Sequence, residues 1–441
     1  MRTAIKVLLA VFLVLLLLAG AILYSAWWYE NNVDRSGWTV ENGSYSYKDF
    51  YGDPVTGWQE IDGSTYYFFP SDSTMATYWQ EIDGARYWFS GDGTLDTGLW
   101  SIDGSTYYLN EDGRLHTGWL DLEGNRYYMG ADGAMQTGWQ EIDGQRYHFR
   151  GTGAMDTGFV ILEGETYRFL DDGPLFTGWD VRDEELVYYL PDGPLATGWQ
   201  EIDSKLYYFE KDGAMQTGWL TLGENDYYLQ EDGSAAIGPT EIDGELRYFS
   251  PKGIHVVLVN ATHKVPAWYT MELKTVVGWN QVSTECYSAL VNMLSDMELD
   301  GIKCTFNSAY RTIQQQQEIM TARTKEYEDK GYEPGAAYWK ARQTVALPGT
   351  SEHHLGLAVD LLGEEAIAWL HEHCWDYGFI VRYAGEKAHI TGIIDEPWHF
   401  RYVGVDVALD MKDSGLCLEE YLGAVPIETP AESDAPTEPQ E

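Results

Sequence analysis

From residue 51 to 253 the chain repeats itself every 20 residues. Thr56-Gly57-Trp58 returns as Thr117-Gly118-Trp119, Thr137-Gly138-Trp139, Thr177-Gly178-Trp179, Thr197-Gly198-Trp199 and Thr217-Gly218-Trp219. Degenerate copies stand at Thr77, Thr97, Thr157 and Ile237, and a single step, after the first copy, is 21 residues long. A period this short constrains folding severely. One unit cannot bury its own apolar face, so neighbours must stack into an array or solenoid. Each unit has an inner pattern, as in Gly138-Trp-Gln-Glu-Ile-Asp-Gly-Gln-Arg-Tyr-His-Phe149. Two short runs flank Asp143-Gly144, a type I′ hairpin signal. A second turn follows, at Asp132-Gly133 or Asp212-Gly213. The expected repeat is therefore a hairpin plus a connector, and the array all-β.

Many acids are turn Asp residues, which gives part of the net charge of −42 a local reason. That charge, with no run of Lys and Arg to offset it, excludes nucleic acid and anionic lipid as partners.

A chain of 441 residues calls for two to three domains. Arg2 and Lys6 precede Val7–Trp28, 22 residues without a charge. Such a span is long enough to cross a bilayer, and the leading positive charges would send the remainder out of the cytoplasm. The rival is a cleaved signal peptide with Ala19-Gly-Ala21 as its small-residue site. Both readings export the protein. The expected order is an anchor or signal over 1–30, a linker over 31–50, repeats over 51–253, a second folded domain over 254–423 and an acidic, proline-containing, disordered tail over 424–441. All four cysteines (Cys286, Cys304, Cys374, Cys417) fall in the second domain. They allow three disulfide pairings, and buried thiols are an equal alternative.

The chemistry of the second domain lies in Pro348-Gly-Thr-Ser-Glu-His-His-Leu-Gly-Leu-Ala-Val-Asp360 and, 36 residues on, Glu396-Pro-Trp-His399. His353, Asp360 and His399 make three ligands with an open fourth position, as a catalytic zinc site requires. Glu396 is left over as a proton carrier. Gly356, Ala358 and Asp360 read as one face of a short strand, with Leu355, Leu357 and Val359 on the other. The Asp360 face is thus small-sided, with room for an ion and a substrate. Strands are expected over 254–259 and 304–307. Helices are expected over 283–299, from Thr312 onward and over 364–375, giving an α+β domain with a small antiparallel sheet. His371 and His373 sit two apart on a helix and point to different faces. They are set aside, as is His389, and His354 is kept as a secondary candidate.

Ser351-x-His353-x-x-Gly356-x-Ala358-x-Asp360 with Glu396-x-x-His399 closely resembles the zinc D-alanyl-D-alanine carboxypeptidases of the VanY type. Ser308-Ala-Tyr-Arg311 matches their Ser-x-Tyr-Arg element, and Glu396–Gly404 their C-terminal signature. The resemblance covers roughly 254–423 and implies the α+β fold that these enzymes share with hedgehog-like domains. It implies one Zn2+ on His353, Asp360 and His399, Glu396 as general base and Arg311 stabilising the oxyanion. Ser351, Gln316 and Tyr310 would hold the substrate, the D-Ala-D-Ala end of a peptidoglycan stem peptide. An endopeptidase of the same fold and a non-catalytic wall-binding module are the alternatives.

The 20-residue units resemble the cell-wall-binding repeats of choline-binding proteins, glucan-binding proteins and clostridial toxins. In the choline-binding version Trp-Tyr-Tyr usually follows the hairpin turn. Here the first of these positions holds Thr65, Arg86, Thr106, Arg126, Arg146 or Thr166. Choline needs several aromatic faces around its cation, so the expected ligand leans toward a wall glycan or teichoic acid. Trp58, Trp119, Trp139, Trp179, Trp199 and Trp219 are its candidate contacts. The alternative is that these rings are solenoid core and the array is a spacer.

Overall fold

A computed structural model describes residues 2–424; all but the first residue of the expected disordered tail lies outside the described residues. Two compact units result. One takes the chain to Gly178 with Tyr189–Leu195, and the other takes Trp179–Tyr188 and the chain from Ala196 onward.

Arg2–Asn32 is one helix whose most apolar 18-residue window has a mean hydropathy of 3.0, with no buried side chain. It is long and apolar enough to cross a membrane. The segment expected as a linker differs from that reading. Gly37–Glu41 and Ser44–Lys48 pair as a hairpin, and Trp38 packs edge-on against Tyr47 and Tyr66. Ser36-Gly37-Trp38 is the repeat signature with Ser in place of Thr, and Asn42-Gly43 supplies the turn at φ 52° and 84°. The array thus starts one repeat early.

Between Gly37 and Phe249, 22 strands pair as eleven hairpins among the described residues. Asp143 and Gly144 have φ of 53° and 77°, the type I′ geometry that twists with the flanking strands. Connectors tie hairpins together. In one, Asp132 Oδ1 accepts from the Ala134 amide at 3.0 Å, and the Met135 amide donates to Thr106 O at 2.8 Å, reaching back past the hairpin it follows. Trp119 sits between Tyr128 of its own hairpin and Tyr147 of the next, both at 5.0 Å, over fully buried Phe149. Ring pairs of this geometry add about 0.5–1.5 kcal/mol each beyond buried area. The spacing of Trp and Tyr is therefore what makes the units stack.

The second domain holds a four-stranded antiparallel sheet. Its strands are β1 (Thr305–Ser308), β2 (Ala358–Leu362), β3 (Phe379–Tyr383) and β4 (Glu396–Tyr402), in the order β1-β2-β4-β3. A helix over Thr284–Leu299, N-capped by Ser283, lays Leu290, Met293 and Met297 into the main core. Val359, Leu361 and Phe400 fill the same core from the sheet. All four cysteines are free thiols, three of them buried.

The strand expected over 254–259 is only His255–Val256, and it pairs with Glu245–Phe249 of the last hairpin. Tyr248 of that hairpin shares one apolar cluster with Val256, Leu258, Val407, Met411 and Leu422. Asn225 Nδ2 donates to Asp406 at 2.8 Å, and Lys252 pairs with Asp410 at 2.6 Å. A boundary drawn at 253/254 thus falls inside a packed core.

Candidate metal centre and catalytic cleft

Antiparallel pairing of β2 and β4 sets Asp360 opposite His399. His353 arrives from a one-turn 3-10 helix, Glu352–Leu355. Here the structure corrects the expected strand, which begins at Ala358 rather than at Gly356. Gly356 ends the 3-10 turn at φ 67°, where a Cβ would lie 2.9 Å from the Ser283 amide nitrogen, so the position requires glycine. Beyond it, the expected alternation holds: Asp360 faces the site while Val359 and Leu361 enter the core.

The ligand atoms of His353, Asp360 and His399 all lie within 4.8 Å of one another, and all three residues are buried. His353 donates from Nδ1 to Ala309 O at 2.6 Å, which turns Nε2 toward Asp360 Oδ2 at 3.4 Å. His399 presents Nδ1 to Asp360 Oδ1 at 3.1 Å and Nε2 to Glu352 Oε2 at 3.4 Å. Each imidazole therefore has one nitrogen anchored outside the cluster and one turned inward, as metal-binding histidines do. Burial pushes the His353 pKa down to about 4 and keeps that ring neutral. At His399 burial acts in the same direction, but the bonds to Asp360 and Glu352 outweigh it and raise the pKa to about 9. Burial opposes ionisation of Asp360 too, yet His353 and His399 hold it well below the usual carboxylate range. A buried His, Asp, His set with both outer nitrogens anchored fits a divalent ion of the zinc type.

Glu396 opens β4 beside this cluster, its Oε2 3.9 Å from His399 Nδ1. Burial lifts its pKa to about 7, partly offset by His399. The two residues share a cleft of about 490 Å³ with Arg311, Ser351, Trp398 and Arg323. Arg311 stands at the junction expected for it, between β1 and a helix over Ile313–Asp329 closed by a Thr312/Gln315 capping box. Its guanidinium reaches Ser308 Oγ at 2.6 Å, Gln316 Oε1 at 3.2 Å and Asp360 Oδ2 at 2.5 Å. Gln316 is fully buried, with Nε2 donating to Ala346 O at 2.8 Å. It lines the cleft, and its amide oxygen holds Arg311. Tyr310 is not among the cleft's lining residues; its amide bonds Gln281 O. Ser351 does line the cleft.

The other histidines lie outside the cluster. His354 uses Nδ1 on Arg311 O and Nε2 on the Gly349 amide. His371 reaches Pro397 O, His373 stacks on Trp369, and His389 meets Glu386 O.

Four residues that no motif reading singled out surround the site. Glu352 Oε1 accepts from Arg382 Nε at 2.8 Å and Arg401 Nη1 at 3.0 Å. Arg382 also makes two bonds to Glu419, at 2.6 and 2.9 Å. All four are at most 1% exposed. The signal was there to read. Arg382 and Arg401 interrupt the apolar runs Phe379–Tyr383 and Phe400–Val403, and a charge inside a buried strand must be paired.

In the repeats the six candidate tryptophans are half-buried. Trp219 is 46% exposed and Trp58 38%, while Trp119 and Trp199 are more covered. Guanidinium carbons stand over tryptophan rings at Arg86/Trp79 (4.5 Å), Arg126/Trp119 (4.5 Å) and Arg146/Trp139 (4.7 Å).

A buried His-Asp-His cluster with a carboxylate at its side, joined to hairpin repeats, defines a metallopeptidase-type domain on a cell-wall-type array. Residues 280–405 match the VanY family, D-alanyl-D-alanine carboxypeptidase. Residues 55–95 and 196–222 match the choline-binding repeat; 99–115, 117–135, 137–155 and 217–235 match the putative cell wall binding repeat. The D-alanyl-D-alanine carboxypeptidase of Enterococcus faecalis is 41% identical over 174 residues, 38% of this chain and 65% of that enzyme. This chain thus spans slightly less than two thirds of that relative. The putative carboxypeptidase YodJ of Bacillus subtilis is 30% identical over 208 residues, 42% of this chain and 72% of that protein. A mutant of the vancomycin-resistance D,D-pentapeptidase VanY from a VanB-type cassette, solved with Zn(II), is 42% identical, covers 38% of this chain and 97% of its own, and superposes with a TM-score of 0.37. The chain belongs to the VanY family of D-alanyl-D-alanine carboxypeptidases.

Proposed function

We propose that this protein is a zinc D-alanyl-D-alanine carboxypeptidase that trims peptidoglycan stem peptides outside the cytoplasmic membrane. The observation that carries the reading is Glu396, a half-buried carboxyl set 3.9 Å from an inward-facing nitrogen of the His353, Asp360, His399 cluster. One Zn2+ held by those three residues would supply a Lewis acid and a water ionised near neutrality. Glu396 takes the proton of the attacking water and returns it to the leaving amine. Arg311, pinned by Ser308 and Gln316, faces the developing oxyanion. Ser351 and Arg323 line the same cleft, and Arg323 offers a cation to the terminal carboxylate of the substrate. An endopeptidase of the same fold is the second reading.

The repeats hold the enzyme on a wall glycan or teichoic acid. In three of them an arginine already covers the tryptophan face that a choline cation would need. The N-terminal helix, long and apolar enough to span, serves as membrane anchor.

The test is mass spectrometry of a stem pentapeptide incubated with the full-length protein in detergent, with and without chelator. Loss of one alanine, abolished by chelator and restored by zinc, is expected. An intact pentapeptide beside cut cross-linked muropeptides would move the assignment to endopeptidase.

A further inference from the structure

We propose that Glu352 is the positioning residue that makes His399 a metal ligand, by holding the ring proton on Nε2 so that Nδ1 keeps its lone pair for the metal. The inference rests on the reading of His353, Asp360 and His399 as a zinc site.

The two histidines solve the same problem differently. His353 lies beside the loop after β1 and donates its outer proton to Ala309 O. His399 lies in β4, a central strand flanked by β2 and β3, where backbone carbonyls are committed to the sheet. Only a side chain can do there what Ala309 O does for His353, and Glu352 is that side chain. Its two oxygens divide the work. Oε1 takes both guanidinium bonds, from Arg382 and Arg401, and Oε2 is left for His399 Nε2 at 3.4 Å.

Neither arginine is free to turn away. Glu419 grips Arg382 with two bonds, and Arg401 also donates from Nη2 to Val257 O and from Nε to Tyr402 O. Two carboxylates and two guanidiniums balance, so a full negative charge faces the imidazole without leaving net charge in the core. Carboxylate-to-histidine contacts of this kind fix tautomer and ring orientation and strengthen the ligand.

The test uses the full-length protein in detergent and reads zinc affinity by competition with a chromogenic chelator. In E352Q the amide oxygen replaces Oε1 on the arginines and turns the NH2 toward His399 Nε2. That nitrogen can then pair only as an acceptor, which drives the ring proton onto Nδ1. Zinc affinity should fall roughly 10- to 100-fold, and the visible spectrum of the cobalt(II)-loaded protein should change. E419Q removes a carboxylate from the same arginine without touching His399. It should lower the melting temperature and cost much less zinc affinity than E352Q. Where E352Q does not fold, Glu352→Asp replaces it, keeping the charge but drawing the carboxylate back from the ring, with the same loss expected. Unchanged affinity in the Glu352 variant, or an equal loss in E419Q, would overturn the assignment. A wild-type protein that binds zinc but releases no alanine sinks the proposed reaction and leaves the role of Glu352 standing. A wild-type protein that binds no zinc sinks both.

Discussion

Gln316 Oε1 lies 3.2 Å from Arg311 Nη1, and the same buried amide is tied at its other end to Ala346 O. The glutamine thus sets the direction of the guanidinium from the wall of the cleft. Gln316→Ala should keep zinc bound and leave KM nearly unchanged while lowering kcat roughly tenfold, the worth of one hydrogen bond to a charged group. Arg311→Ala should lower kcat more, by about 10²–10³. Steady-state D-alanine release distinguishes the two; a rise in KM alone for Gln316→Ala would restore it as a substrate contact.

Glu396 is not one of the three clustered ligands and lies 3.9 Å from His399 Nδ1. Glu396→Gln should therefore retain zinc, measured by metal analysis, and lose about 10²–10⁴ in kcat. Near-wild-type turnover in that variant would remove Glu396 from the mechanism.

His255 is enclosed by Trp219, Phe249 and Trp268, and its Nε2 is buried without a hydrogen-bond partner. Burial, with help from Arg247 and against Asp226, brings its pKa from 6.5 down to about 4. The folded protein holds the ring neutral, whereas the unfolded chain takes up the proton near 6.5. The contribution is therefore complete above that pH and is lost as the pH falls toward 4, to a limit of about 3 kcal/mol. Melting curves at pH 7.5 and 5 should show a loss that His255→Phe reduces. Equal losses in both proteins would place the acid sensitivity elsewhere.

The arginines over Trp79, Trp119 and Trp139 occupy the cation seat from within. The wild-type protein should pass through a choline resin. Replacing all three, as Arg86→Tyr, Arg126→Tyr and Arg146→Tyr, supplies a further aromatic wall in each repeat and should produce retention that free choline reverses. Retention of the wild type would show that the arginines do not block the site.

Because Tyr248 and Val256 share a core with Val407 and Leu422, residues 254–424 alone should melt well below residues 218–424, which keep the last two hairpins. Equal melting temperatures would mean that the shared cluster contributes little.

Local rules made much of this legible. The 20-residue period and the Asp-Gly pairs specify hairpins, because type I′ geometry is a property of two residues. The ligand set could be read because His353 and Asp360 lie close in sequence and Glu396 and His399 closer still. What escaped depends on distant partners. The hairpin at Gly37–Lys48 hid behind one Ser-for-Thr change. Tyr310 and Gln316 both sit near the site in sequence, but only folding shows that Gln316 lines the cleft while Tyr310 is not among its lining residues. Glu352 read as a spacer because its partners, Arg382, Arg401 and His399, lie 30 to 49 residues away.

The shared core at the end of the repeats has one more consequence. No slack tether separates the last hairpins from the sheet that carries Asp360 and His399; strand pairing, apolar packing and the Asn225–Asp406 and Lys252–Asp410 contacts join them. If these hairpins settle on a wall polymer, the cleft inherits their bearing. Stem peptides would then be selected by the direction from which they project as well as by their chemistry, and a neighbour pointing the wrong way would be passed over.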